Sequence, residues 1–416
     1  MRVLVWGINY APELTGIGPC NTALCEHLRA AGHEVEMVTS FPYYPAWRKR
    51  AEDRGVFWRA DEIGGVPVHR CWHYVPARVT RWKRILHEAT FTSTSFLRVL
   101  TRPRPDLIIA VSPPLLLGAA AWLASLFLRT RYLFHAQDLQ PDAAVGLGML
   151  KAGGFTRLLY ALEGFAYRHA WRVSGISRGM LAAFAAKGVP PEKCIYFPNG
   201  VTLSSPAAPA GAFRERHHFS PDDFLAIYSG NIGFKQGLEG LVESAKSVRD
   251  RRVKIVICGD GAQRGAIESR AAGLGNVRFL PLLPAAEYHA MLADCDLAVI
   301  TQTAGSGRAF FPSKLLASFA AARPVLSVAD AESELSAALR ESGGGVNVLP
   351  NQPEELGQTL DRLASDPETR AVCARAGRAW VEQFEIARVH AAFIAELTAA
   401  AGIEAKRRED GLPAGR

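Results

Sequence analysis

Short β-rich apolar runs alternate with helical stretches along this chain, and the alternation breaks off once and then restarts. The first series of runs is Arg2–Gly7, Glu34–Thr39, Asp106–Val111, Tyr132–His135, Arg172–Gly175 and Cys194–Phe197. The second is Leu225–Tyr228, Lys254–Cys258, Val277–Leu280, Leu297–Ile300 and Pro324–Val328. Helical patterns fall between them, such as Asn21–Ala31, ended by Gly32. A strand that returns through a helix comes back parallel, so repeated alternation builds a parallel sheet with helices on its faces. The interruption, Ser204 to Gly211, is turn-rich and aperiodic, as a linker is. The expected class is therefore α/β, with two Rossmann-like doubly wound domains. They span 1–202 and 225–385, with a linker region at 203–224, a closing amphipathic helix at 386–401 and a disordered tail at 402–416. A length of 416 residues suits two such domains.

Composition narrows the class further. With 49% hydrophobic and 21% charged residues the chain is neither disordered nor fibrous. Seven cysteines show no Cys-x-x-Cys pair and no histidine spacing for zinc, so free thiols, no structural metal and a reducing compartment are expected. The amino terminus runs straight into a strand with no apolar signal-peptide pattern, so secretion is not expected. The longest apolar run, Pro113–Leu128, is too short to span a bilayer and is expected as a buried helix. The net charge of +8 gathers in the first half, where Arg48–Arg104 holds 13 basic against 5 acidic residues together with Trp47, Trp58, Trp72 and Trp82. Such a stretch is either a solvated basic face or a surface that meets anionic phospholipid headgroups. With no nucleic-acid motif present, nucleic acid is not expected as a partner.

Three glycine-rich loops carry the first chemical signals. Gly7 to Gly18 follows the first strand and leads into a helix, with Gly16 and Gly18 able to bring backbone amides close to a phosphate. The loop is longer than the dinucleotide fingerprint and lacks its third glycine, which argues against NAD. Tyr228 to Gly237, with Gly230, Asn231 and Gly233, follows the first strand of the second domain, and Cys258-Gly259-Asp260-Gly261 follows a later one. Phe311-Pro312-Ser313-Lys314 then places a hydroxyl and an ammonium at a helix start.

The order and spacing of these segments resemble the family 4 glycosyltransferases of the colanic acid and O-antigen type. Gly7–Gly18, Gly32-His33-Glu34-Val35, Phe41-Pro42-Tyr43-Tyr44-Pro45, His135-Ala136-Gln137-Asp138, Asp142 to Gly148, Pro198-Asn199-Gly200-Val201, Gly230-Asn231-Ile232-Gly233, Gly259-Asp260-Gly261 and Pro312-Ser313-Lys314-Leu315 carry the resemblance. It covers residues 1 to about 397. It implies the GT-B fold with an interdomain cleft, the donor nucleotide held mainly by the second domain and the acceptor by the first. It also implies retaining hexosyl transfer from a UDP- or GDP-sugar to a lipid-linked or glycan acceptor in exopolysaccharide synthesis. No cofactor or metal is expected, since the nucleotide sugar is a substrate.

On this resemblance Asp138, Lys235 and Lys314 are the expected catalytic residues. Gly16, Gly18, His135, Asn231, Gly233, Gly259, Asp260, Ser313, Glu332 and Glu334 are expected to bind substrate. Departing diphosphate must be met by preorganised cations and amides, which Lys235, Lys314, Ser313 and the glycine loops can supply. Asp138 ends a first-domain strand, at the edge that faces ligand in doubly wound sheets; it is otherwise the cap of the next helix. His135 either faces the site or is a satisfied core histidine. Where many members carry a ribose-binding glutamate this chain has Ala317, so Glu332, Glu334 or backbone groups take that role, or turnover is lost. The expected partners are a nucleotide-sugar donor, a polyprenyl-diphosphate-linked saccharide and an anionic membrane surface. The expected location is cytoplasmic, peripheral at the inner face of the cytoplasmic membrane. A GT-B nucleotide-sugar 2-epimerase and a non-catalytic nucleotide-sugar-binding protein are the alternatives.

Overall fold

The computed structural model describes residues 1–14, 16–78, 80–146, 153–203, 209–305 and 313–409, with the side chains of Arg81, Gly146 and 403–409 outside that description. By its contacts the chain divides into two units, one of Met1–Asn199 with the chain from Ala387 on, the other of Gly200–Ile386. Each is built on one sheet.

In the first unit β1 (Arg2–Trp6), β2 (Glu34–Ser40), β3 (Trp58–Ile63), β4 (Val66–Cys71), β5 (Leu107–Ser112), β6 (Arg131–Ala136), β7 (Arg172–Gly175) and β8 (Cys194–Tyr196) form a single sheet. Its order is β3-β4-β2-β1-β5-β6-β7-β8, parallel throughout except for β3 against β4. The helices are α1 (Gly18–Ala30), α2 (Arg81–Leu100), α3 (Leu116–Leu128), α4 (Gln140–Gly146), α5 (Gly154–His169) and α6 (Arg178–Ala186). Central strands of a sheet covered on both faces read as unbroken apolar runs, and every residue of β5, Leu-Ile-Ile-Ala-Val-Ser, is buried. The β3–β4 hairpin is absent from the expected strands. Gly64 and Gly65, at φ 58° and 72°, supply the two left-handed residues of its tight turn, and β3 alternates exposed with half-buried residues as an edge strand does.

In the second unit β9 (Phe224–Ser229), β10 (Val253–Cys258), β11 (Val277–Leu280), β12 (Leu297–Thr301), β13 (Val325–Val328) and β14 (Gly345–Val348) form a wholly parallel sheet in the order β11-β10-β9-β12-β13-β14. β14 is a further addition, its apolar pattern being only four residues long and opened by glycine. Of the stretch 203–224, residues 204–208 lie outside the described residues. The rest belongs to the second unit: the helix Ala212–Arg216 buries Phe213, and Asp294 accepts from the amides of Gly211, Phe213 and Arg214 at 2.7–3.1 Å.

The two chain segments at the border of the units pair with each other. Val201 N–H donates to Phe384 O at 2.8 Å, and Ile386 N–H donates to Val201 O at 3.0 Å. The last helix, Ile386–Glu409, then lays Val389, Phe393, Ile394 and Leu397 into the first unit's core beside Leu107, Ile195 and Phe197. Phe197 stacks on Phe393 at 3.9 Å. The helix runs eight residues beyond the expected end at 401, because Glu404 to Glu409 are strong helix formers; 410–416 lie outside the described residues.

Two further expectations meet the structure here. All seven cysteines are free. The run Pro113–Leu128, expected as a buried helix, instead forms α3 at the surface. Leu117, Gly118, Ala121 and Ala124 face inward, while Leu123, Leu126 and Phe127 are exposed. Among the described residues no helix is long and apolar enough to cross a membrane.

Candidate active site

Parallel strands deliver the loops after their C-terminal ends to one edge of the sheet, where α/β folds bind ligands. In the second unit that edge is stitched together across four strands. After β9 and β10 the two glycine loops are bonded backbone to backbone: Gly230 N–H to Cys258 O at 2.8 Å, Ile232 N–H to Asp260 O at 2.8 Å, and Gln263 N–H to Ile232 O at 2.9 Å. The turn Phe234–Gln236 is bound to the loop after β12, where Thr303 N–H donates to Lys235 O at 3.0 Å. That loop reaches the end of β13, with Gly305 N–H donating to Asp330 Oδ2 at 2.7 Å. Only glycine allows the closest approach. A Cβ on Gly259, at φ 148°, would stand 1.8 Å from Gly230 O, and one on Gly230, at φ 136°, would stand 2.8 Å from Lys314 Nζ.

Lys314 enters this ladder from the first turn of the helix Ser313–Ala320. Its Nζ donates to Tyr228 Oη at 2.7 Å and lies 3.9 Å from the centre of the Tyr228 ring. Tyr228 is fully buried, and its hydroxyl passes the interaction on to Asn231 O at 2.6 Å. Burial pushes the Lys314 ammonium down to about 7, and no carboxylate contributes to its shift. A cation held by a phenol and a ring and packed against Gly230, with no carboxylate beside it, is a group that an anion can engage.

The other expected residues of this unit divide into two groups. Asn231, Gly233, Gly259 and Asp260 share the ladder with Lys235 and Lys314; Asp260 is exposed and bonds its own following amide. Ser313 is exposed beside Lys314. Glu332 lines an open cavity of about 760 Å³ together with Gly305, Asp330 and Asn351. Glu334 is not among its lining residues; it opens the helix Glu334–Ser342, which the buried Ser333 caps by accepting from Ser336 N–H at 3.1 Å.

In the first unit the corresponding edge gathers the loops after β1, β2, β4 and β6. Gly16, at φ 69°, lies against the Tyr44 ring, and Gly18 opens α1, whose N-cap residue, Ile17, supplies no capping side chain. Glu13 holds this loop in place. Its carboxylate accepts from the amides of Tyr43 and Tyr44 at 2.8 and 2.9 Å and from Asn9 Nδ2 at 2.7 Å. Burial nevertheless raises its pKa. Arg70 adds bonds to Ala11 O and Ser40 O. Glu13 and Tyr228 are the residues that sequence reasoning missed. Both stood inside quoted motifs, but nothing local tells that Glu13 is buried or that Tyr228 meets a lysine 86 positions away.

Asp138 is half-buried two residues beyond β6, at this edge, and its charge contributes to the raised pKa of Arg84 on α2. His135 is placed differently from the expected substrate contact. It is 1% exposed, its Nε2 accepts from Gln137 Nε2 and its Nδ1–H donates to Ser174 Oγ, both at 2.8 Å. Burial drives its pKa down to about 3. A neutral imidazole with both nitrogens engaged is a core histidine.

The chain is similar to known proteins along most of its length. Residues 15–200 match the family model described as a glycosyl transferase 4-like domain, and residues 211–380 match that of glycosyl transferases group 1. WcaI of Escherichia coli (strain K12), named for colanic acid biosynthesis glycosyl transfer, is 35% identical over 367 residues, 86% of this chain and 89% of that protein. Sucrose-phosphate synthase from Thermosynechococcus elongatus superposes with a TM-score of 0.73 at 18% identity, covering 96% of this chain and 99% of that one. Anabaena HepE in complex with UDP-glucose gives 0.70 at 17% identity, covering 96% and 100%. The two parallel α/β units have the GT-B fold, and the chain belongs to the glycosyltransferase family that joins a 4-like domain to a group 1 domain.

Proposed function

We propose that this glycosyltransferase moves a hexosyl group, with retention of anomeric configuration and without a metal, from a UDP- or GDP-sugar to a polyprenyl-diphosphate-linked saccharide. The setting is exopolysaccharide assembly at the inner face of the cytoplasmic membrane. The observation that carries this reading is Lys314, a cation packed against Gly230 of the glycine loops with a phenol rather than a carboxylate as its hydrogen-bond partner. A diphosphate leaving an oxocarbenium-like centre gathers negative charge, and a preorganised ammonium lowers the barrier by meeting that charge as it develops. Lys235, Ser313 and the Asn231 amide are the further donors, with Glu332 the ribose partner at the cavity. On the front face of the sugar the leaving phosphate oxygen takes the acceptor hydroxyl proton, and Asp138 orients that hydroxyl from the acceptor side.

Binding to the folded state alone raises its melting temperature. UDP or GDP, and not ADP, is expected to stabilise the protein, and NMR of the product is expected to show the donor's anomeric configuration. An inverted product, or no stabilisation by either nucleotide, would sink the reading.

A further inference from the structure

The sequence pointed to a basic, aromatic surface across Arg48–Arg104, but the structure spends much of that stretch internally. Trp47 and Trp72 are half-buried, Trp47 packing against Tyr43 and His87, while Arg59 and Arg70 are held by Asp53 and Asp61. The exposed apolar surface begins at the end of that stretch, on α2, and continues onto α3 and α5. Helices α2, α3 and α5 pack side by side, and an apolar groove of about 560 Å³ between them is lined by Phe96, Leu97, Leu116, Trp122, Leu123 and Phe165. Around it the exposed positions of the helices are themselves apolar: Trp82, Leu86 and Leu97 on one stripe of α2, Leu123, Leu126 and Phe127 on α3, and Leu158 on α5. Trp82, Phe127 and Leu158 are each more than 60% exposed. α3 contains no charged residue at all. A helix apolar on its outer side as well as its inner one is made to be covered.

Charge decides what covers it. Each apolar cluster is flanked by an exposed cation, Trp82 by Lys83, Phe127 by Arg129, and Leu158 by Arg157. The acids on these helices are turned away: Glu88 is paired with Arg84, and Glu163 is buried with Lys187. A second copy docked through this face by a two-fold axis would bring like charges together. Anionic headgroups over a hydrocarbon layer complement it.

We infer that the α2–α3–α5 face inserts into an anionic bilayer leaflet, with Leu126, Phe127, Trp82 and Leu158 in the acyl boundary and Lys83, Arg129 and Arg157 at the headgroups. This deepens the proposed function and rests on it for its purpose, because a lipid-linked acceptor has to be met at the bilayer. Attachment has two parts: an electrostatic one that salt screens, and an inserted one that salt leaves in place.

Co-sedimentation of the full chain with phosphatidylcholine vesicles and with phosphatidylcholine/phosphatidylglycerol vesicles, at low and high salt, separates them. Wild type is expected to sediment with the anionic vesicles and to be only partly released by salt. Replacing both exposed residues, Leu126→Gln with Phe127→Gln, is expected to weaken partitioning at least about tenfold and to abolish the salt-resistant fraction, with melting temperature and nucleotide stabilisation unchanged. Lys83→Glu with Arg129→Glu is expected to remove the preference for anionic vesicles. Equal sedimentation of the double glutamine variant and wild type overturns the inference, as does wild type that sediments with neither vesicle. A dimer in sedimentation velocity that the glutamine variant dissolves overturns it too, in favour of a protein partner. Failure of the transferase reading appears separately, as absence of transfer to a detergent-solubilised acceptor while vesicle binding persists.

Discussion

Burial lowers the pKa of the Lys314 ammonium, packed on the Tyr228 ring, to about 7, so the ligand-free molecule gives up this charge far more readily than an exposed lysine does. On the proposed function an arriving diphosphate favours the charged form, so donor capture is expected to take up a proton. kcat/KM, which reports the free enzyme, is accordingly expected to fall above about pH 7, approaching tenfold per unit; a flat profile to pH 9 would contradict this. The stability sign follows from the same shift. The folded value lies below the ordinary 10.5, so the unfolded chain binds more protons between about 7 and 10.5, and stability contributed at this site rises with pH across that window. Lys314→Ala is expected to lower kcat about 100- to 1,000-fold, and near wild-type turnover at saturating donor would remove Lys314 from the chemistry. On the acceptor side, Asp138→Asn is expected to reduce kcat while leaving nucleotide affinity within about twofold, since Asp138 stands in the other unit from the glycine ladder. Calorimetry with UDP or GDP checks this, and a collapse of binding would move Asp138 to the donor pocket or to the fold.

At the scale of elements, the glycine ladder is what gives Lys314 its floor. Gly259→Ala puts a methyl into the carbonyl of Gly230 at a backbone angle that side-chain-bearing residues rarely adopt. The strain is expected to part the two loops, so that nucleotide no longer raises the melting temperature while the far-UV spectrum stays that of the wild type; undiminished nucleotide stabilisation would contradict the ladder's role. The same scale shows what sequence could convey. Parallel strands buried on both faces announce themselves as apolar runs, and all eleven expected strands are present. The β3–β4 hairpin did not stand out because its outward residues, Trp58, Ala60 and Glu62, lie within a stretch dominated by charge. α3 was misjudged for a related reason: periodicity cannot tell a helix buried by its own protein from one left for a partner to cover. The glycine ladder was legible as separate loops, but the bond from Tyr228 to Lys314 spans 86 residues and exists only after the sheet has formed.

For the molecule as a whole, the two α/β units present different edges. The edge of the second carries the bonded glycine loops and Lys314; the edge of the first carries Asp138 and a loop fixed by Glu13. Family membership makes the chain a glycosyltransferase. The most direct measurement follows label from UDP- and GDP-sugars into polyprenyl-diphosphate-linked saccharide, with and without that acceptor, in wild type and Lys314→Ala side by side. Acceptor-dependent release of nucleoside diphosphate, with the sugar recovered in the lipid phase and both lost in Lys314→Ala, is the predicted result. Contradiction would come as donor epimerised without acceptor, as nucleotide bound but never turned over, or as transfer that persists undiminished when Lys314 is removed.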